Sequence, residues 1–396
     1  MTAELPPENQ APVEPEPGEI QVNSLQELIE KVAQQGFQPI EGDEDAGLAE
    51  VLPFPFLAMV GQREMKLALA LSLINPLIGG VLLIGPRGTG KTTAVRSLVD
   101  LLPDVPRSLC YYGCMPEDIE SGGIDAVCPN CAKKYGAGEP LAVMDRVRLV
   151  ELPLNSRLEE VIGGIDERAA LNDRTGIRRG ILAQADRNLL YVDEVNLLSD
   201  EIVDAILDAA SQGHFTVRRG PVSATYSSRL VLVGSMNPEE GRLRPQILDR
   251  FGLRLFIRGL EEPDERLEVY RRVQAYLANP RQAVASYAPE TEVLREEIQN
   301  ARELLPEVEL PEEVARRGLQ LIDHLKVDSL RAEITLFEAA RAHAAADGRT
   351  KVVPEDLQVV APMALRLRRS KYMDRFFANQ EAEESELLSI VDEMLN

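Results

Sequence analysis

The stretch Gly85-Pro-Arg-Gly-Thr-Gly-Lys91-Thr92 constrains this chain more than any other. It fits the pattern G-x-x-x-x-G-K-[ST] at every fixed position, between an apolar strand-like run, Val81 to Ile84, and a helix-like run, Thr93 to Val99. A chain that leaves a buried strand through a glycine-rich turn and enters a helix is committed to a β-turn-α unit, the building block of a parallel sheet. The glycines let backbone N–H groups turn inward where a Cβ would block close approach to phosphate oxygens. The turn Gly85, Pro86, Arg87, Gly88, Thr89 and Gly90, with Lys91, Thr92 and Thr93 behind it, is therefore predicted to cradle a nucleoside triphosphate. Lys91 supplies a point charge, and the Thr92 hydroxyl a ligand for Mg²⁺.

At 396 residues the chain can hold two or three domains. Its formal charge of −22 argues against wrapping nucleic acid. Half of that excess lies in residues 1–50, which carry twelve acids and one base, Lys31. No apolar run approaches a membrane span, and no basic-then-apolar leader opens the chain. The expectation is a cytoplasmic protein, or a stromal one if it comes from a plastid.

Residues 1–50 read as an acidic, mostly disordered tail with one short helix, Ser24 to Ala33, opened by a capping-box pattern. From Val51 to about residue 260 short apolar runs alternate with helix-period segments, the pattern of an α/β domain. Beyond it the strand runs stop. Residues 261–290 read as a helical linker and 291–396 as an all-helical C-terminal domain.

A second acidic signature stands at Leu189-Leu-Tyr-Val-Asp193-Glu194, an apolar strand ending in two acids. At such an edge the first acid can hold Mg²⁺ through water and the second can polarise an attacking water. Asn237 ends another buried strand, Leu230 to Met236, and is a candidate to orient that water; the plainer reading is a turn former before Pro238. An arginine beyond it, in Arg244-Pro-Gln-Ile-Leu-Asp-Arg250-Phe, can act as an arginine finger on a neighbouring subunit's phosphate or simply pair with Asp249.

The order of these parts resembles the AAA+ ATPases. Val161-Ile-Gly-Gly-Ile-Asp-Glu, Arg179-Gly-Ile-Leu-Ala, Tyr191-Val-Asp-Glu-Val-Asn-Leu-Leu198, Met236-Asn-Pro-Glu-Glu-Gly241 and Leu243-Arg-Pro-Gln-Ile-Leu-Asp-Arg-Phe-Gly-Leu253, with Phe54-Pro-Phe and Val60-Gly-Gln62 upstream, narrow the resemblance to the ATPase (I) subunit of magnesium chelatase, over about residues 51 to 370. The resemblance implies a three-layer α/β AAA+ domain followed by a helical domain, with a helical insert near 158–184 and a β-hairpin near 214–230. It implies ATP and Mg²⁺ as ligands, Lys91, Thr92, Asp193, Glu194 and Asn237 in hydrolysis, Arg250 as the finger and Arg331 as a sensor on the helical domain. It implies a homo-oligomeric, hexameric ring that works with a D subunit and, through it, a porphyrin-binding H subunit, driving Mg²⁺ into protoporphyrin IX for chlorophyll or bacteriochlorophyll. Rival readings are a MoxR-type or cobalt-chelatase-like remodelling ATPase and, further off, a DNA-handling motor using Arg218 and Arg219. The chain departs from the family pattern at Tyr226-Ser227, usually His-Pro, at Arg242, usually an acid, and at Asn188, usually Gly.

Cys110-x₃-Cys114 and Cys128-x₂-Cys131, separated by thirteen residues, lie outside that pattern in a Cys-rich loop (110–131). They are open between a four-thiolate Zn²⁺ site, a redox pair and inert thiols. His214, His324 and His343 read as isolated, with no carboxylate–histidine arrangement, and Arg366 to Lys371 as a short basic patch.

Overall fold

The structure is a computed structural model that describes residues 52–369, apart from 103, 166–176, 220–221 and 242–243. The acidic tail with its short helix, Arg242, Lys371 and the end of the C-terminal region lie outside the described residues.

Helix Arg63–Ile74 precedes β1 (Val81–Ile84), and the glycine-rich turn feeds helix Lys91–Arg96. β2 (Asp104–Ser108) pairs antiparallel with β3 (Ala142–Arg146), enclosing the cysteine segment. There follow β4 (Leu149–Leu152), the antiparallel pair β5 (Gly163–Ile165) and β6 (Ile177–Arg179), and β7 (Leu189–Val192). Helix Asp200–Gln212 leads to the hairpin of β8 (His214–Arg219) and β9 (Val222–Ser227), then to β10 (Val231–Met236) and β11 (Leu253–Phe256).

Five strands form one parallel sheet in the order β11-β1-β10-β7-β4. β1 and β7 are buried at every residue, as a parallel sheet covered on both faces demands. Alternate side chains divide between two cores. Val81, Leu83, Tyr191 and Val233 join the core that contains helix Arg63–Ile74, while Leu82, Ile84, Leu190 and Val192 join the one under helix Asp200–Gln212. This is a three-layer α/β domain.

The first core runs on into the helical half, through Leu294 and Ile298 of helix Ala288–Leu304 and Leu336, Ala339 and Ala340 of helix Leu330–Ala346. Small alanine faces let that last helix approach closely. Arg368 ties the halves together: its guanidinium donates to the Asp249 carboxylate at 2.8 Å and to the carbonyls of Phe251 and Gly252 at 3.2 and 3.0 Å. Arg254 and Arg366 each donate to the other's carbonyl at 3.0 Å.

The helical insert expected near 158–184 lies partly outside the described residues, at 166–176; among the described ones, short helices Leu158–Ile162 and Ile181–Gln184 flank the antiparallel β5–β6 pair. Gly163, at φ +118°, explains the switch. A Cβ there would sit 2.6 Å from the Arg178 carbonyl, so glycine both ends the helix and admits the second strand. The Cys-rich loop expected at 110–131 is partly helical. Helix Pro116–Gly122 forms inside it and helix Pro129–Gly136 begins there, each with proline in its first turn; Asp118 caps the former by accepting from the Met115 N–H at 2.8 Å.

Candidate active site

The carboxyl ends of β1, β10 and β7 bring the predicted residues to one edge. β10 lies between the strand that carries the glycine-rich turn and the strand that ends in Asp193. Gly88 and Gly90 have φ of +77° and +83°, which opens the turn for inward N–H groups. Lys91 opens its helix, buried, and its ammonium donates to the carbonyls of Gly85 and Pro86 at 2.7 and 2.8 Å. Burial lowers the Lys91 pKa, while Asp193, Glu194 and Glu240 oppose that shift.

Thr92 donates its hydroxyl to the Asp193 carboxylate at 3.2 Å and lies 3.1 Å from the Tyr191 hydroxyl. Asp193 also accepts from Tyr191 at 2.8 Å and from the Ser235 hydroxyl. Three hydroxyl donors therefore fix one carboxylate beside the turn. Tyr191 and Ser235 went unrecognised in the sequence; their signal was a polar atom inside an otherwise apolar buried strand.

Glu194 follows in left-handed backbone, φ 49°, and turns the chain sharply out of the sheet. Its N–H donates to Ser235 at 3.1 Å, and its carboxylate lies 3.7 Å from the Arg87 guanidinium. Arg87 also pairs with Glu240. Burial and the Glu240 carboxylate raise the Glu194 pKa. Asn237 is buried at the end of β10, where its side-chain oxygen accepts from the Glu239 N–H at 3.2 Å.

The hard oxygen donors of Thr92 and Asp193 suit a hydrated Mg²⁺ better than a soft metal, and Glu240, whose charge acts on Lys91, has a buried Oε2 without a hydrogen-bond partner. A cleft of about 680 Å³ adjoins the turn, lined by Met59, Gln62, Gly88, Thr93, Arg258 and Val273 among others. Its size and mixed lining suit a nucleotide base and ribose.

The two predicted arginines stand apart from this group. Arg250 ends helix Pro245–Arg250 and pairs with Asp208 and Asp204 of helix Asp200–Gln212 at 2.7 and 3.2 Å. It does not pair with Asp249, which the sequence had offered as the plain partner; Asp249 is taken by Arg368, Arg254 and Ser329. Arg331, 52% exposed, lies 4.0 Å from Asp249 at the start of its helix.

The expectation of isolated histidines fails at His343. Its Nδ1 lies 2.6 Å from the Asp356 carboxylate, which Arg349 also engages. The partners are thirteen residues apart, on helices that pack together, a juxtaposition that no local pattern displays. Burial pushes Asp356 up, but the hydrogen bonds from Arg349 and His343 prevail and hold it at about 2. The cluster lies in the helical half and is structural.

A glycine-rich phosphate turn, an Asp-Glu strand separated from it by a third strand, and a packed helical domain define a AAA+ ATPase. Family models match as the AAA lid domain over residues 321–390 and as magnesium chelatase, subunit ChlI, over residues 165–257. A magnesium-chelatase subunit ChlI homolog of Methanocaldococcus jannaschii is 42% identical over 81% of this chain and 87% of its own length. The magnesium-chelatase subunit ChlI of a Nostoc species is 42% identical over 80% and 84% respectively. A cryo-EM-based structure of the complex between BchI and BchD of magnesium chelatase is 40% identical, covering 82% of this chain and 99% of that one, at a TM-score of 0.45. The chain belongs to the magnesium-chelatase subunit ChlI family, as an ATP-driven chelatase subunit. Among the described residues no helix is long and apolar enough to cross a membrane.

Proposed function

We propose that this chain is the ATP-hydrolysing motor of a magnesium chelatase, working in a homo-oligomeric ring with D and H subunits to drive Mg²⁺ into protoporphyrin IX. The observation that carries the reading is the convergence of Lys91, Thr92, Asp193 and Glu194 on one sheet edge, in a chain of this family. Lys91 holds the β- and γ-phosphates, and Thr92 and Asp193 hold the nucleotide's Mg²⁺, which spreads the negative charge developing on the phosphates. Glu194 takes the proton of the attacking water, with a carboxyl that burial and Glu240 raise above its ordinary value. Asn237 positions that water. Arg250, whose described ion pairs are all to helix Asp200–Gln212, is offered to the neighbouring subunit's γ-phosphate, and Arg331 senses nucleotide from the helical half.

The test is reconstitution with ATP, Mg²⁺, protoporphyrin IX and competent D and H subunits, following Mg-porphyrin fluorescence. Product that requires this chain and vanishes with Lys91→Ala supports the reading. ATP hydrolysis without product overturns it in favour of a remodelling ATPase acting on another tetrapyrrole or metalloprotein.

A further inference from the structure

The four cysteines form a cluster that ATP chemistry does not use. Cys110 and Cys114 flank the turn after β2, Cys128 precedes helix Pro129–Gly136 and Cys131 lies in its first turn. Their sulfur atoms all lie within 4.8 Å of one another, with Cys110 and Cys128 at 3.6 Å. Four sulfurs at ~2.3 Å from one tetrahedral centre stand about 3.8 Å apart. A disulfide would require one close pair and leave the other thiols unconstrained; here all four converge. Cys114 and Cys131 are buried, and Leu141, Ile119 and Val127 close an apolar shell around the group. Backbone N–H groups of Tyr112 and Cys128 donate to the sulfurs of Cys110 and Cys114, each at 3.3 Å, the hydrogen bonding that favours a thiolate.

The residues between the first two cysteines carry the cluster's outward contacts. The Tyr112 carbonyl accepts from the Ser227 N–H at 3.1 Å, and the Gly113 carbonyl accepts from the Ser227 hydroxyl at 3.2 Å. The Tyr112 and Tyr226 rings pack against each other at a tilt of 32°, with centroids 5.7 Å apart. Tyr111 donates its hydroxyl to the Ile177 carbonyl at 2.9 Å and accepts from the Arg179 N–H at 3.0 Å. Gly113 has φ +81°, and a Cβ on it would stand 2.9 Å from that of Ser227. One short turn thus touches both the β8–β9 hairpin and the β5–β6 pair.

We propose that Cys110, Cys114, Cys128 and Cys131 bind one structural zinc ion, and that this closed site holds the Tyr111–Gly113 turn as a brace for the two antiparallel pairs. All four coordination positions are thiolates, so no position remains for substrate or catalytic water.

The full-length chain, purified under reducing conditions, is assayed for metal by mass spectrometry, then loaded with Co²⁺ after the native metal is displaced. One zinc per chain, and the thiolate charge-transfer and tetrahedral ligand-field bands of a cobalt tetrathiolate, are expected. A chain that stays metal-free with four titratable thiols, or that carries a native disulfide or iron, overturns the site. Cys131→Ser is expected to lose at least tenfold in zinc affinity. Because that variant could misfold, the brace is read on the wild-type chain by amide exchange with and without a zinc chelator. Faster exchange at Phe215 to Ser227 on zinc removal is expected; unchanged exchange there overturns the brace. None of these readouts involves ATP or a partner subunit, so failure here is separable from failure of the motor assignment.

Discussion

The Ser235 hydroxyl of β10 donates a hydrogen bond to the Asp193 carboxylate at the end of neighbouring β7. Ser235 also accepts the Glu194 N–H at 3.1 Å, so one hydroxyl fixes the Asp193 carboxylate and the Glu194 backbone at the carboxyl edge of the sheet. Ser235→Ala leaves both groups short of a partner while hardly changing volume. A hydrogen bond to a charged group contributes ~1.5–3 kcal/mol. The expected outcome is a fall of about tenfold or more in ATP turnover with a raised Mg²⁺ requirement, read from steady-state hydrolysis across a Mg²⁺ titration.

Glu194→Gln keeps size and polarity but cannot take a proton. ATP binding, followed with a fluorescent nucleotide, is expected to hold while turnover falls by ~10²–10⁴-fold. Because Glu240 helps raise the Glu194 carboxyl, Glu240→Gln should move the acid limb of the wild-type rate profile to lower pH. Full turnover in Glu194→Gln would remove the base assignment.

Arg250 is held by Asp204 and Asp208 at the surface of its own chain. Arg250→Ala is expected to keep nucleotide affinity and lose hydrolysis. Mixing it with Lys91→Ala chains should restore part of the activity, since a subunit with an intact P-loop can then face an intact arginine. Dead mixtures, with subunit exchange demonstrated by a fluorescent label, would place Arg250 outside catalysis.

Asp356 gives a stability prediction with a defined sign. Its carboxyl titrates at about 2 in the fold against an ordinary 3.8, so its stabilisation is complete above the ordinary value and is lost as pH falls towards 2. Asp356→Asn should cost ~2 kcal/mol near neutrality through weakened hydrogen bonds from Arg349 and His343. In urea melts the gap between wild type and variant should narrow steadily between pH 4 and pH 2. A gap independent of pH would mean that charge is not the cause.

The fold class was legible because its signals are local. A four-residue apolar run entering a glycine turn, and another ending in two acids, each declare a strand and its functional end within a few residues. What escaped depends on contacts across the chain. Ser235 reads as a small residue in a buried strand until β10 is placed beside β7. The β5–β6 pair hides because its three-residue strands are too short to show alternation, and only the close backbone approach at Gly163 explains them. Tyr226 and Ser227, noticed only as departures from the family pattern, are the residues on which the cysteine turn rests.

The ties at Asp249 carry one more consequence. Ser329 and Arg368 bind its carboxylate from the helical half, and Arg250 is its immediate neighbour in the chain. The arginine proposed as a finger is therefore mounted on the same joint that seats the chain's own helical half. Any displacement of that half would reach Arg250 through a single covalent step between adjacent residues.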